Sequence, residues 1–310
     1  MVKAFDSEES LMTVNIVFDK IATLIKYNMW GNVTYERFKR WTQQFNTDEE
    51  RYYAAYLAKQ LIYYNNKDFI SLINYSFAMV IKKILQSTLK TNEYAEDLIW
   101  AKKMEEVRRN TLVCPLTFDA AASGSMTVRI LRNLSIISEE EICNSETELI
   151  NKLQRRDVHG VIFVDDMIGS GTQVLESLIH RKEIGNSYCS LQDKILELRP
   201  SAQIFVCVAV APEESLRLIE SDTNLQVSVA EVLDTKQEVL NDGFWDPGHY
   251  ENAMKFLSNL NAKENIPLSG FSDKSWALTF EHGAPDLSSP FYYKEQAGWT
   301  SLIPYRGEEF

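Results

Sequence analysis

Apolar residues in the first third of the chain recur three or four positions apart, which is the spacing of an amphipathic helix. The stretch from Leu11 to Ile25 places one apolar stripe on a predicted first helix. Thr34 is a capping residue before a second helix, and Thr47 with Glu50 forms a capping box before a third. A fourth helix is expected to begin at Asp68. The pattern therefore predicts several short helices in succession.

These helices together predict a helical module over residues 1–105, for which a winged-helix domain is one possible form. A DNA-binding winged helix usually carries a basic recognition helix. The candidates for such a helix carry few cations: Lys82-Lys83 in one place, and Arg37, Lys39 and Arg40 in another. We therefore favour a packing or oligomerisation module, with direct DNA binding as the alternative.

Beyond residue 105 the pattern changes to short continuous apolar runs separated by amphipathic stretches. Continuous runs are typical of parallel strands, because helices cover both faces of such a sheet. Strands that alternate with helices predict an α/β domain over residues 106–310 with a largely parallel sheet flanked by helices. The predicted strands are Thr111–Cys114, Val161–Val164, Ile204–Ala211 and Leu225–Leu233.

The composition is that of an ordinary globular protein and excludes the disordered, collagen-like and membrane classes. The chain has 310 residues, of which 45% are hydrophobic and 25% are charged, and this length suits two domains. The net charge of −12 argues against binding to bare phosphate backbone, which needs clustered cations. The longest apolar run is too short to cross a bilayer, and the first residues form no signal-peptide core. We expect a cytoplasmic protein with no membrane partner.

The four cysteines and four histidines are scattered along the chain without a closely spaced pair. Zinc sites are built from such pairs, so we predict no structural zinc site. The cysteines are expected to be reduced, partly buried thiols.

The segment that follows the Val161–Val164 strand carries the strongest chemical signal. Asp165 and Asp166 stand at the carboxyl end of that strand, where ligands bind in open α/β sheets. The small residues after them allow close approach of the main chain to a ligand, and amides at a helix start favour an anion. Carboxylates suit ribose hydroxyls or a phosphate-bound Mg²⁺, so the segment predicts a site for a phosphorylated sugar. The alternative is a helix cap with both carboxylates solvated. The residues expected to hold the phosphate are Gly169, Ser170, Gly171, Thr172 and Gln173.

This segment resembles the signature of type I phosphoribosyltransferases, in which a hydrophobic strand and two acids precede a loop containing Thr-Gly. The resemblance implies that Asp165 and Asp166 bind the ribose hydroxyls of phosphoribosyl diphosphate (PRPP), together with Mg²⁺. It implies that Ser170 and Gly171 match the Thr-Gly around the 5′-phosphate. The implied fold is the type I phosphoribosyltransferase-like parallel sheet flanked by helices, preceded here by the helical module.

Two positions depart from that signature. Gly169 stands where many members carry an acidic residue that acts as the base, and Gln173 replaces the usual last threonine, unless Thr172 takes over its role. We expect ligand binding to survive these departures better than base-exchange catalysis does.

A second loop supports the same assignment. Ser123, Gly124 and Ser125 follow the first predicted strand and precede a helix. In the resembled fold the corresponding loop holds pyrophosphate through amides at a helix start. Arg129 or Arg132 would supply positive charge.

The carboxyl-terminal stretch narrows the resemblance. Trp276 to Phe280 is a predicted strand, with Glu281 and His282 at its end, and Trp299 and Arg306 follow. The sequence resembles the phosphoribosyltransferase-like family of bacterial conflict systems, which combines such a strand-His-Pro segment with a Trp and a near-terminal Arg. Some members occur beside retron reverse transcriptases, with an ATPase and an HNH nuclease. The resemblance implies a component of an anti-phage defence system with partners of this kind, including a reverse transcriptase with its DNA.

Two hypotheses for the function follow. In the first, the protein binds PRPP or a related ribose phosphate with Mg²⁺ and transfers ribosyl phosphate to an unknown acceptor. Its candidate catalytic residues are Asp165, Asp166 and His282, although a structural role is the commoner one for a histidine. In the second, the protein is a non-catalytic sensor or regulatory subunit of a defence complex, an idea that the departure at Gly169 favours. The aromatic pairs Phe244-Trp245 and Tyr292-Tyr293 are expected to pack in the core.

Overall fold

The structure is a computed structural model that describes residues 7–88, 97–185, 187–223 and 225–304. Arg306, part of the resembled family pattern, lies outside these residues. By its internal contacts the chain divides into two compact units. Residues 1–68 and 234–310 form the first, here called the discontinuous unit, and residues 69–233 form the second, the sheet unit.

Twelve α-helices occur in the described residues. Their ends coincide with capping residues at several places: the Thr34 hydroxyl accepts from the amide of Arg37, and Thr47 and Glu50 form the predicted capping box. The helices are α1 Ser7–Lys26, α2 Tyr35–Thr42, α3 Asp48–Gln60, α4 Asn66–Thr88, α5 Asp97–Arg109, α6 Ser123–Asn133, α7 Glu146–Arg155, α8 Thr172–Val174, α9 Leu191–Leu198, α10 Glu213–Asp222, α11 Tyr250–Glu264 and α12 Pro290–Tyr293.

Eight strands form three sheets in the same residues. The largest is a four-stranded sheet of order β2-β3-β6-β7, in which every pair is parallel. The strands are β1 Ile62–Tyr64, β2 Thr111–Pro115, β3 Gly160–Met167, β4 Lys182–Ile184, β5 Ser187–Cys189, β6 Gln203–Pro212, β7 Gln226–Leu233 and β8 Leu278–Phe280. All four predicted strands of the α/β region are thereby confirmed as one parallel sheet.

The four-stranded sheet lies in the sheet unit and is covered on both faces, which explains its continuous apolar runs. On one face, helices α7, α9 and α10 contribute buried residues to a core around Phe163 and Val206. From α4, the Ser76 hydroxyl donates to the Val208 carbonyl at 2.7 Å. Truncation of a fully buried phenylalanine such as Phe163 costs about 3–5 kcal/mol, so this packing holds β3 firmly in place.

The discontinuous unit has an aromatic core that joins the two ends of the chain. Trp41, Phe45 and Tyr53 from the amino-terminal helices are buried in one cluster with Phe256 and Trp299. The Phe45 and Trp299 rings meet edge to face with centroids 5.8 Å apart. Strand β1 pairs in parallel with β8 in the same unit.

The predicted helical module is present, but its boundary at residue 105 does not coincide with the division into units. The reason lies in which core each helix joins: α1 to α3 share theirs with residues 239–303, whereas α4 contacts the parallel sheet. Within residues 7–88 the one strand is β1, which pairs with β8 and forms no hairpin. The described residues therefore show no wing of the winged-helix type.

None of the helices in the described part of the chain combines the length and apolar character needed to cross a lipid bilayer.

Candidate functional site

The two acids after the apolar run lie inside β3, not in the loop that follows it. The strand continues to Met167 because β6 keeps pairing with it up to Met167↔Val210. Asp165 is 1% exposed and Asp166 is 4% exposed. The alternative of two solvated carboxylates is therefore wrong. Ionisable side chains this deeply buried need specific partners.

Asp165 has two hydrogen-bond donors around one carboxylate oxygen. Its Oδ1 accepts from the Ser123 hydroxyl at 2.5 Å and from the amide of Asp166 at 2.8 Å. Asp166 Oδ1 in turn accepts from the amide of Met167 at 2.7 Å. Burial, and next the charge of Asp166, raise the pKa of Asp165 to about 7, although the hydrogen bond from Ser123 acts in the opposite direction. Asp165 therefore changes charge near neutral pH.

Ser123 reaches Asp165 because α6 begins directly beside the ends of β2 and β3. Helix α6 starts at Ser123, and Ala122 before it gives no side-chain cap to the first-turn amides. Gly124 allows the close approach: a Cβ there would lie 2.7 Å from the Val164 carbonyl oxygen and 3.1 Å from the Leu116 amide nitrogen. The predicted second loop is thus next to the acid pair, with the first turn of α6 facing the ends of both strands.

The small-residue loop after β3 is held by α10. The Ser215 hydroxyl donates to the Gly169 carbonyl at 2.5 Å, and Ser215 is buried. Gly171 has φ +85°, a conformation that favours glycine. A Cβ at this position would lie 3.6 Å from side-chain atoms of Leu218 and Ile219. Through these contacts α10, the helix that follows the neighbouring strand β6, fixes the shape of the loop.

The remaining loop residues lie at the surface with their hydroxyls close together. Ser170 Oγ donates to Thr172 Oγ1 at 3.0 Å and accepts from the Thr172 amide at 3.4 Å. Thr172 and Gln173 are exposed at the start of the three-residue helix α8. Both are therefore accessible to a bound group.

The sequence-based interpretation missed Ser215. Its sequence signal is a hydroxyl four residues past the apolar run Ile204–Ala211. Its contact with Gly169 depends on the pairing of β3 with β6, which local patterns do not specify.

The two predicted arginines differ in their surroundings. Arg132 forms an ion pair with Glu139 at 2.9 Å. Both arginines line a cavity of about 240 Å³ together with Phe118, and Glu139 lines it too. Charge for an anion at this loop would therefore come more readily from Arg129.

His282 lies in the discontinuous unit, just after β8. Its ring stacks on the Phe280 ring with centroids 5.0 Å apart and planes at 11°. Its neighbour Glu281 has a structural role, because Glu281 Oε2 accepts from the Asn66 amide at 2.7 Å at the start of α4. Glu281 and His282 lie in the turn after β8, and their side chains have different partners.

The aromatic pairs pack in the core as expected. Phe244, Trp245 and Tyr292 are buried, and Tyr293 is partly buried against the same core. Trp245 Nε1 donates to the Val239 carbonyl at 2.9 Å, and the Tyr292 hydroxyl donates to the Leu57 carbonyl at 3.0 Å.

The donor set at the acid pair fits Mg²⁺ better than a transition metal. Among the residues that the structure describes there is no group of three or more His, Cys, Asp or Glu side chains that would hold a metal ion. Mg²⁺ needs less from the protein, since it binds through one or two carboxylates and completes its shell with substrate phosphates and water. Asp165 and Asp166 would supply those carboxylates, and a cation there would offset the repulsion that raises the pKa of Asp165.

Comparisons with known proteins give one match. A family model with the description PRTase-CE matches residues 38–304, which is most of the chain. No curated protein and no solved structure matches the chain.

Proposed function

Because the chain belongs to the PRTase-CE family, which is phosphoribosyltransferase-like, we propose that it binds PRPP or a related ribose phosphate at the acid pair of β3. The observation that carries this proposal is the pair of buried carboxylates at the carboxyl end of a parallel strand, between two loops rich in small residues. Asp165 and Asp166 would accept hydrogen bonds from the ribose hydroxyls. Residues 169–173 would surround the 5′-phosphate, and residues 123–125 would bind the diphosphate.

Mg²⁺ is the cofactor that this arrangement supports. Asp165 and Asp166 would hold it, and when bound it neutralises charge on the diphosphate leaving group. The protein's own residues orient the sugar: the acid pair is fixed within β3, and Ser215 fixes the loop at Gly169.

The transfer reaction would move ribosyl phosphate to an acceptor. A bond forms between the acceptor atom and the anomeric carbon, while the bond from that carbon to diphosphate breaks and diphosphate departs with the electron pair. The acceptor's proton has to go to a base. Gly169 has no side chain that could act as this base, and the sequence-based candidate for the base stays His282.

A non-catalytic sensor or regulatory subunit is the second candidate function. It is favoured by Gly169, which carries no carboxylate and whose carbonyl is committed to Ser215. In either case the resemblance to conflict-system proteins supports a role in anti-phage defence in the cytoplasm. Partners of the retron type, an ATPase, an HNH nuclease and a reverse transcriptase with its DNA, belong to the same proposal.

The test combines binding with turnover. Thermal unfolding with PRPP and Mg²⁺ should show a ligand-induced rise in Tm for the wild type and none for the double variant Asp165→Asn, Asp166→Asn. Asp157→Asn, an exposed substitution in the same unit, serves as the matched control and should keep the rise. An unchanged rise in the double variant would refute the site.

Release of diphosphate separates the two functions. Mg²⁺-dependent release that is lost in His282→Asn, with Tm unchanged, supports the transferase. Ligand-induced stabilisation without any release supports the sensor.

A further inference from the structure

The four-stranded parallel sheet has two edges, and the chain itself covers one of them. At the β2 edge, the amide of Val113 donates to the Glu141 carbonyl at 2.8 Å, and the Cys143 amide donates to the Val113 carbonyl at 2.9 Å. Strand β7 forms the opposite edge, and nothing in the described part of the chain pairs with its outer side. A row of outward main-chain amides and carbonyls at an edge can pair with another strand.

Exposure separates β7 from the inner strands of the same sheet. All eight residues of β3 are buried, whereas only two of the eight residues of β7 are. One face of β7 contacts α4, where the Ser228 hydroxyl donates to the Ser76 carbonyl at 3.0 Å. Val227 and Val229 pack against the core on the other face. The accessible side of β7 is therefore its outer edge, together with Val232, which is 48% exposed.

The strand has none of the usual features that keep an exposed edge from pairing. Residues 226–233 include three valines, which favour extended chain, and no lysine or proline. The register with β6 is constant from Phe205↔Gln226 to Pro212↔Leu233, so no bulge twists the edge away. At eight residues β7 is also longer than a typical strand of about 5–6 residues.

A second copy of the chain is the partner that fits this edge. Twofold symmetry brings two identical edges together antiparallel, and residues directly opposite each other then point to the same face of the joined sheet. Two registers satisfy this rule and pair all but one residue of each strand. Glu231, the one charged residue of β7, lies opposite Val227 of the other copy in the first register and opposite Val229 in the second. Like charges directly opposite would destabilise the pair, and neither register brings them together.

We propose that the outer edge of β7 is a homodimer interface, at which two copies pair antiparallel and join their four-stranded sheets into one continuous sheet. The pairing gives the outward main-chain groups hydrogen-bond partners and covers Val232 of both copies. Twofold dimers are also the commonest homo-oligomers of soluble proteins. The interface needs no ligand, so it is independent of the function proposed for the acid pair.

Sedimentation velocity of the full chain, from nanomolar to high micromolar concentrations in about 0.15 M salt, measures the oligomeric state. The wild type should form a dimer. Ala230→Asp should raise the dissociation constant of that dimer by about tenfold or more, because both registers place the two added carboxylates directly opposite or diagonal to each other. Ala101→Asp, the same change at an exposed position on α5, is the matched control and should dimerise as the wild type.

Hydrogen exchange at several protein concentrations locates the interface. In a parallel edge strand about half of the amides point outward, and those of β7 should become protected from exchange as the dimer forms. The amides of β3 bond within the sheet, so their exchange should not depend on dimer formation.

Each outcome decides for or against the interface. A dimer in which β7 gains protection, and which Ala230→Asp weakens while Ala101→Asp does not, supports it. A monomer at every concentration overturns it, and constant protection of β7 would then show that the chain covers its own edge. A dimer with no change at β7, or one that both variants weaken equally, uses another surface and overturns it as well. Should Ala230→Asp lower the Tm, Val232→Asp at the exposed end of the strand takes its place, with a smaller shift in the same direction.

Discussion

Replacing Asp165 by asparagine should stabilise the protein above neutral pH while it removes the ligand site. The pKa of Asp165 is raised from 3.8 to about 7 by burial and by the charge of Asp166. Between these values the folded protein keeps the proton that the unfolded chain has released. Unfolding therefore releases a proton in that range, and raising the pH favours unfolding.

The size of this effect on the free energy of unfolding follows from the difference between the two pKa values of Asp165. Each pH unit between them lowers the free energy of unfolding by about 1.4 kcal/mol, so the full cost of the ionised group is about 4 kcal/mol. The cost is absent below about pH 4 and complete above about pH 7. Asparagine does not titrate and keeps an oxygen that can accept from Ser123.

Urea denaturation at several pH values measures this difference. The free energy of unfolding of Asp165→Asn minus that of the wild type should increase by about 3 kcal/mol between about pH 5 and about pH 8. Asp157→Asn, an exposed substitution in the same unit, should show no such trend. A difference that stays constant with pH, or that falls as pH rises, would refute the account of Asp165 as a buried and repelled carboxylate.

Three further predictions concern the site and its supports. Gly124→Ala should lower the free energy of unfolding by about 1–3 kcal/mol, because its Cβ overlaps the Val164 carbonyl. Ser215→Ala should cost about 1–3 kcal/mol in urea denaturation and weaken PRPP binding, because the Gly169 carbonyl loses its donor. The affinity for PRPP should rise with pH up to about pH 7, by at most about tenfold per unit, because ionised Asp165 is the better acceptor.

Each of these has an outcome that contradicts it. Alanine in a helix is normally more stable than glycine by about 0.5–1 kcal/mol, so a stabilised Gly124→Ala variant would show that the close approach is absent. Ser221→Ala on the same helix as Ser215 should leave both stability and binding unchanged, and equal effects of the two variants would remove the special role of Ser215. An affinity for PRPP that stays constant between about pH 5 and about pH 7 would contradict the role of ionised Asp165 as the better acceptor.

The features that the sequence predicts well are those set by neighbouring residues. The cap at Thr34 and the capping box of Thr47 and Glu50 depend on groups within three positions of each other. The strands of the parallel sheet depend on continuous apolar runs, which burial on both faces requires. The same applies to the two adjacent acids at the end of β3.

Features that depend on pairing between distant segments were out of reach. That Asp165 and Asp166 are buried follows from the length of β6, which carries β3 past the apolar run to Met167. The hydrogen bond from the Ser215 hydroxyl to the Gly169 carbonyl depends on the same pairing. The sequence pattern predicts that a strand ends where a carboxylate follows its apolar run, because charged residues are rarely buried without partners.

The core of the discontinuous unit is a further example. Ile62 lies opposite Leu278 in the β1–β8 pair, and neither three-residue strand has a local pattern that identifies its partner. The change of periodicity near residue 105 predicts a domain boundary there. The periodicity of α4, however, does not indicate which core the apolar face of that helix joins.

The discontinuous unit also imposes an order on biosynthesis. Its amino-terminal helices leave the ribosome first, but Phe256 and Trp299, which complete their core, are made after the whole sheet unit. At roughly 5–20 residues per second, the apolar faces of α1 to α3 wait on the order of ten seconds or more for these partners. Nascent chains of this protein are therefore expected to need shielding by chaperones at their amino-terminal end, while the sheet unit is free to fold during translation.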